Sequence, residues 1–161
     1  MTGRRLAALT AGVLALALVG GALATMPSNF TPTTFIRATI GANKKHEGIK
    51  AYAGHVKLHT KGPTDVTFQT ITIGPGGSSG WHSHPGIVLV AVQSGTLTRY
   101  DANCHTTLYP AGRGFVEFGD HPALVRNNTK APVVLYVAYI SPKSATVLRF
   151  DKPQPSTCSA S

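Results

Sequence analysis

Beyond residue 24 no stretch of this chain sustains the 3.6-residue apolar period that a packed helix needs. Short runs rich in β-branched residues alternate instead with glycine and proline, of which there are 17 and 11 in 161 residues. That rhythm admits strands and tight turns and little else. The expected strands run over 35–40, 50–59, 65–73, 87–92, 96–100, 105–109, 115–118, 124–126 and 133–140. The unbroken apolar run from Ile87 to Val92 predicts a strand buried on both faces. Ser94-Gly95 predicts a hairpin whose return arm begins at Thr96. Many short strands without helices fold as a sandwich, jelly roll or barrel.

The first two dozen residues follow a different rule. Arg4 and Arg5 precede a nearly continuous apolar run from Leu6 to Val19, and Ala22-Leu23-Ala24 has the small-x-small form of a cleavage site. Residues 1–24 are therefore expected to be a secretory signal peptide. Left uncleaved, the segment is about long enough to anchor the chain in a bilayer, which takes about 20 residues. The expected destination is secreted or extracytoplasmic, or membrane-anchored in the uncleaved case. Residues 25–33 read as a linker, 34–142 as one barrel domain, and 143–161 as an extended C-terminal tail.

The formal net charge is +9, a balance often seen in nucleic-acid binders. Beyond residue 24 the basic residues are scattered singly, apart from Lys44-Lys45, and none is interleaved with aromatics. With an export signal in front, nucleic acid is not an expected partner. Cys104 and Cys158 are the two cysteines. An oxidising compartment favours their pairing, which would tie the tail to a loop of the barrel.

The residues with chemistry sit in Gly80-Trp81-His82-Ser83-His84-Pro85-Gly86. Histidines at i and i+2 on a strand point to one face, so both imidazoles can converge on one metal ion. A pair is not a complete site, because protein sites usually use three or four ligands.

The spacing around these residues resembles the cupin family of jelly-roll barrels. Its first motif is matched without a gap by Gly76, five residues, His82-Ser83-His84, three residues, Val88, six residues and Gly95. Its second motif is matched in spacing by Gly112, five residues, Phe118-Gly119-Asp120, two residues, Ala123, three residues and Asn127. The likeness is greatest to small exported bacterial cupins, and it implies an all-β, cupin-type jelly-roll β-barrel behind a signal peptide. It also implies a metal, but two of the four ligand positions are lost. Val88 stands where the family has a glutamate, and Ala123 where it has a histidine. His121 lies two residues before Ala123, on the same strand face, and is the expected third ligand. The set His82, His84 and His121 would suit a divalent transition metal: Fe, Ni, Cu or Zn. Glu117 is a further candidate, as a replacement carboxylate serving as a fourth ligand or as a general base. The alternative is a metal-free module that holds a small-molecule ligand in the barrel cavity, its histidines donating hydrogen bonds. A homodimer is the expected assembly if one forms.

Other residues read as structural. His55, Lys57 and His59 share an i, i+2, i+4 face, but the central lysine repels a cation, so the face reads as an exposed edge. Trp81 points away from the histidines, which favours packing on the opposite side. Tyr100, Tyr136 and Tyr139 are expected to pack in the core or at the rim.

Overall fold

The computed structural model describes residues 23–41 and 48–158, and every regular element among them is a strand. The signal-peptide expectation falls outside the described residues except for Leu23 and Ala24. In chain order the strands are β1 (Ser28–Ile40), β2 (Lys50–Ala53), β3 (Val56–His59), β4 (Thr64–Ser78), β5 (His82–Ser83) and β6 (Ile87–Ser94). They continue as β7 (Thr96–Asp101), β8 (Thr106–Pro110), β9 (Gly114–Phe118), β10 (Ala123–Arg126), β11 (Val133–Pro142) and β12 (Phe150–Asp151).

Ten of these strands form one nearly closed barrel with two walls. The first wall is β1-β4-β11-β6-β9 and the second is β8-β7-β10-β5-β12; all pairings are antiparallel. β4 joins the walls, because its last residue, Ser78, pairs with Arg126 of β10. The core is the space between the walls, filled by Ile73, Val92, Leu97, Val133 and Leu135, all at most 2% exposed. β2 and β3 form a separate two-stranded hairpin.

Four sequence expectations are corrected here. The run from Ile87 to Val92 is not buried on both faces. Val88, Val90 and Val92 face the core, while Ile87 and Leu89 lie exposed on the outside. The strand after Gly95 does not return against β6 either: β6 pairs with β11 and β9, and β7 with β8 and β10. Gly95, at φ +81°, turns the chain from one wall to the other, a backbone state that glycine adopts without a Cβ penalty. The linker expected over 25–33 is strand from Ser28 onward, and β1 pairs with β4 as far as Ile40↔Thr64. Pro32 is tolerated there because β1 pairs on one side only, so the missing N–H opens no ladder bond. His55 sits in the turn between β2 and β3, so it shares no strand face with Lys57 and His59.

The residues expected to be a free tail are also built into the barrel. β12 pairs with β5 through Phe150↔Ser83 and Asp151↔His82. Ala24 bridges to Pro153, and Thr25 N donates to Lys152 O at 3.0 Å. Cys104 and Cys158 form a disulfide with Cα atoms 5.4 Å apart, which fixes the end of this strap to the β7–β8 loop. No helix of the described residues is long and apolar enough to cross a membrane.

The outside of the first wall is unusually apolar. Phe35, Phe68, Leu89, Val116, Phe118 and Tyr136 each leave between 44% and 63% of their surface exposed. A shallow groove runs between Phe35, Phe68, Leu89 and Tyr136.

Candidate metal centre

His82 opens the two-residue strand β5, and His84 follows it at the barrel mouth. The segment is held on both sides by backbone. Trp81 N donates to Thr25 Oγ1 at 2.6 Å, and Lys152 N donates to Trp81 O at 2.8 Å. Trp81 itself is 3% exposed and lines a separate pocket behind the histidines, as its strand parity predicts. Gly80 turns into the segment at φ +66°. A Cβ there would meet Thr25 O at 2.4 Å, so the approach is open only to glycine.

Each imidazole is oriented by a backbone carbonyl. His82 Nδ1 lies 3.0 Å from Gly80 O, and His84 Nδ1 lies 2.8 Å from Leu148 O. A carbonyl oxygen only accepts, so both Nδ1 atoms carry the proton and donate. In the neutral rings Nε2 is then the lone-pair atom. Both Nε2 atoms are turned toward Glu117 Oε2, at 3.6 Å from His82 and 3.2 Å from His84. All three side chains are buried.

Glu117 comes from the first wall, in β9. Its cross-strand partner in β6 is Val88, the residue at the position where the family motif has its glutamate. Directly opposed residues of an antiparallel pair lie on the same sheet face. The carboxylate therefore reaches the same region of the barrel from one strand over. Arg99 Nε donates to its other oxygen, Oε1, at 3.2 Å, which leaves Oε2 to the histidines. Burial pushes the Glu117 carboxyl up, but hydrogen bonds and charge from His82 and His84 outweigh it and hold the group well below the usual carboxylate range. Tyr139 packs its ring 5.7 Å from that of His84. Burial and the neighbouring Glu117 charge push its hydroxyl up to about 12, so it stays a neutral phenol.

His82, His84 and Glu117 are the group of metal-ligating side chains that converge among the described residues, with one ligand atom from each lying within 4.8 Å of the others. Donor atoms held by one ion at about 2.1 Å stand roughly 3.0–3.4 Å apart, close to the two separations that involve Oε2. His121 is in the loop after β9, exposed, with its ring against Phe118 at 4.9 Å. It is not part of this group. Ala123 is 2% exposed and pairs with His82, so the fourth family position lies beside the site and carries no ligand atom. Alternation puts Glu117 on one face of β9 without saying which face is inward, and that it lies opposite Val88 is a non-local fact which no local pattern contains.

The three side chains sit on the wall of a cavity of about 390 Å³ inside the barrel. Val147, Leu148 and Arg149 of the C-terminal strap complete that wall. Residues 147–149 are thus part of the site and not a solvent tail.

No family model matches the chain, and no curated protein does. Solved structures do. The chain is similar to the Cupin_2 domain of an XRE family transcriptional regulator from Enterobacter cloacae, at 18% identity over 71% of this chain and 98% of that one, with a TM-score of 0.47. It is similar to an uncharacterised double-stranded beta-helix protein from Klebsiella pneumoniae, at 20% identity over 54% and 76% of the two chains, TM-score 0.46. It is also similar to a cupin-superfamily sugar phosphate isomerase from Silicibacter pomeroyi, at 22% identity over 48% and 51%, TM-score 0.44. The last match spans about half of that enzyme.

Proposed function

We propose that this chain is an exported, cupin-type barrel that binds one divalent transition-metal ion through His82 Nε2, His84 Nε2 and the Glu117 carboxylate. The observation that carries this reading is the convergence of three acceptor atoms. With both Nδ1 protons committed to carbonyls, two lone pairs and a carboxylate oxygen face each other in a buried space. Such an arrangement is completed by positive charge at its centre, from a metal ion or from Nε2 protons that pair the histidines with Glu117. Glu117 takes the third place in this reading, ahead of His121. Two imidazoles and one carboxylate are the donor set of non-haem iron sites and are accepted by zinc, with nickel and copper next. Three protein ligands leave a position for a small molecule. A bound ion would supply Lewis acidity and, if it is iron, oxygen chemistry.

The test is elemental analysis of the purified full chain beside its His82→Ala/His84→Ala variant. The reading expects near-stoichiometric metal in the first and none in the second. Metal that survives the double substitution overturns it. If neither protein takes up metal after reconstitution, the mostly apolar cavity supports the second reading, a metal-free binding module whose occupant an extract of the native protein would reveal.

Export is supported by the Cys104–Cys158 bridge, which suits an oxidising compartment. For assembly, the outer face of the first wall fits a second copy of this chain. Its four exposed aromatics, Phe35, Phe68, Phe118 and Tyr136, each present on the order of 100 Å², about half of the roughly 800 Å² per partner of a standard interface, and Leu89 and Val116 extend the apolar area. Phe68→Lys/Tyr136→Lys should convert a dimer to a monomer in sedimentation while metal content stays unchanged. A wild type that sediments as a monomer removes this part of the proposal.

A further inference from the structure

The cavity holds few charges, and they cancel in pairs. Its wall is hydrocarbon for the most part, with Ile71, Val90, Phe115, Leu135 and Val137 facing inward. The acidic group in it is Glu117, and Arg99 already answers that charge at 3.2 Å. Arg149 lines the cavity from the strap and bonds through Nε to Asp151 Oδ1 at 2.8 Å. As ligands, His82 and His84 are neutral. A divalent ion held by this set would therefore bring two positive charges that no side chain of the cavity offsets. In a space walled by hydrocarbon such an excess is costly until a counter-charge enters with the ligand. Arg149, although paired with Asp151, presents a guanidinium to the cavity whose charge reaches the Tyr139 hydroxyl beside His84.

Resting on the metal reading above, we propose that the cavity takes a small organic acid with an apolar body, its carboxylate at the metal position and near Arg149, its hydrocarbon against the inner wall. The two halves of the site select against different competitors. A neutral molecule leaves the positive excess in place. A small hydrophilic anion supplies charge but wastes the apolar wall, where every buried methylene adds affinity. A polyphosphate or sugar has too little apolar surface to match the lining. The cavity of about 390 Å³ falls in the ordinary range for small-molecule sites, about 300–1,000 Å³.

The probes are octanoate, its neutral counterpart octanamide, and acetate, titrated calorimetrically into the zinc-loaded full chain, with metal content measured on the same samples. Octanoate should bind at least about tenfold tighter than either of the others. Arg149→Gln should weaken octanoate by about tenfold, leave octanamide unchanged and leave the zinc content unchanged, since charge-assisted pairing is what it removes. Arg149→Lys should recover part of the loss. If octanamide or acetate binds as well as octanoate to zinc-loaded wild type, the proposal is wrong and the metal site stands. If wild type takes up no zinc or iron, both the metal reading and this one fail. The comparison of the three probes needs no variant, so a misfolded Arg149 substitution does not shield the proposal.

Discussion

The inner and outer faces of β4, β11, β6 and β9 belong to the same backbone and make opposite demands on it. Inside, Glu117 is 5% exposed, and both of its oxygens face partners on other strands. One residue to either side, Val116 and Phe118 point outward and are about half exposed. The inner face is specified by pairwise geometry, so a change of one atom type matters. The outer face is specified by apolarity over an area, so shape matters and individual residues do so less. Period-two alternation lets these two selections proceed on neighbouring residues without interfering.

The largest expected effect sets the two faces against each other at adjacent positions. Glu117→Ala should lower metal affinity by at least about 100-fold, while Phe118→Ser should leave it within a factor of about two. Equal loss in both variants would mean that the faces are coupled through the strand. A sharper test exploits the Val88↔Glu117 register. Exchanging the two residues, Val88→Glu with Glu117→Val, should restore much of the metal binding that Glu117→Val alone removes. No recovery would show that Arg99, which is positioned for β9 and not for β6, is what makes the carboxylate a ligand.

The smallest effect concerns the inner face far from the metal position. Thr39 Oγ1 donates to Asp65 Oδ1 and Arg37 Nε to Oδ2, both at 2.7 Å. The Thr39 bond and the Arg37 pair hold the Asp65 carboxyl below its usual range against the opposing effect of burial. A carboxyl depressed in the folded state contributes stability above its unfolded pKa, near 3.8, and that stability is lost as pH falls through the lower folded value. Asp65→Asn should therefore cost about 1–3 kcal/mol at neutral pH, and the gap to wild type should narrow below about pH 4. A gap independent of pH would mean that packing, not charge, is what the carboxylate provides. Metal content should not change.

How much of this could be read from the chain depends on range. His82 and His84 are legible because two strand residues share a face by local geometry alone, and Glu117, whose neighbours Val116 and Phe118 are as apolar as Phe115, is legible only as belonging to one of the two faces of β9. Its place opposite Val88 is not, because register between β6 and β9 is set by how the whole barrel closes. The same limit explains the strap. Lys143 to Asp151 has the composition of a tail, and nothing local says that Leu148 O will orient an imidazole 64 residues earlier. Residues 28–33 looked like linker because of Pro27 and Pro32, and became an edge strand because β4 offered a free side to pair with. Ile87 to Val92 looked buried on both faces because its outer residues are as apolar as its inner ones. The sequence period was correct there, and the environment of one face was not deducible from it.

The hydrogen bond from His84 to Leu148 also orders events in time. A chain leaving the ribosome at about 5–20 residues per second presents its histidine pair long before the strap exists. Until residue 148 has been made and folded back, one of the two rings has no carbonyl to fix its tautomer. The His82 ring has its carbonyl two residues away at Gly80, whereas the His84 ring waits for the strap to be laid across it. A chain that ends before residue 148 therefore lacks the carbonyl that holds the His84 ring.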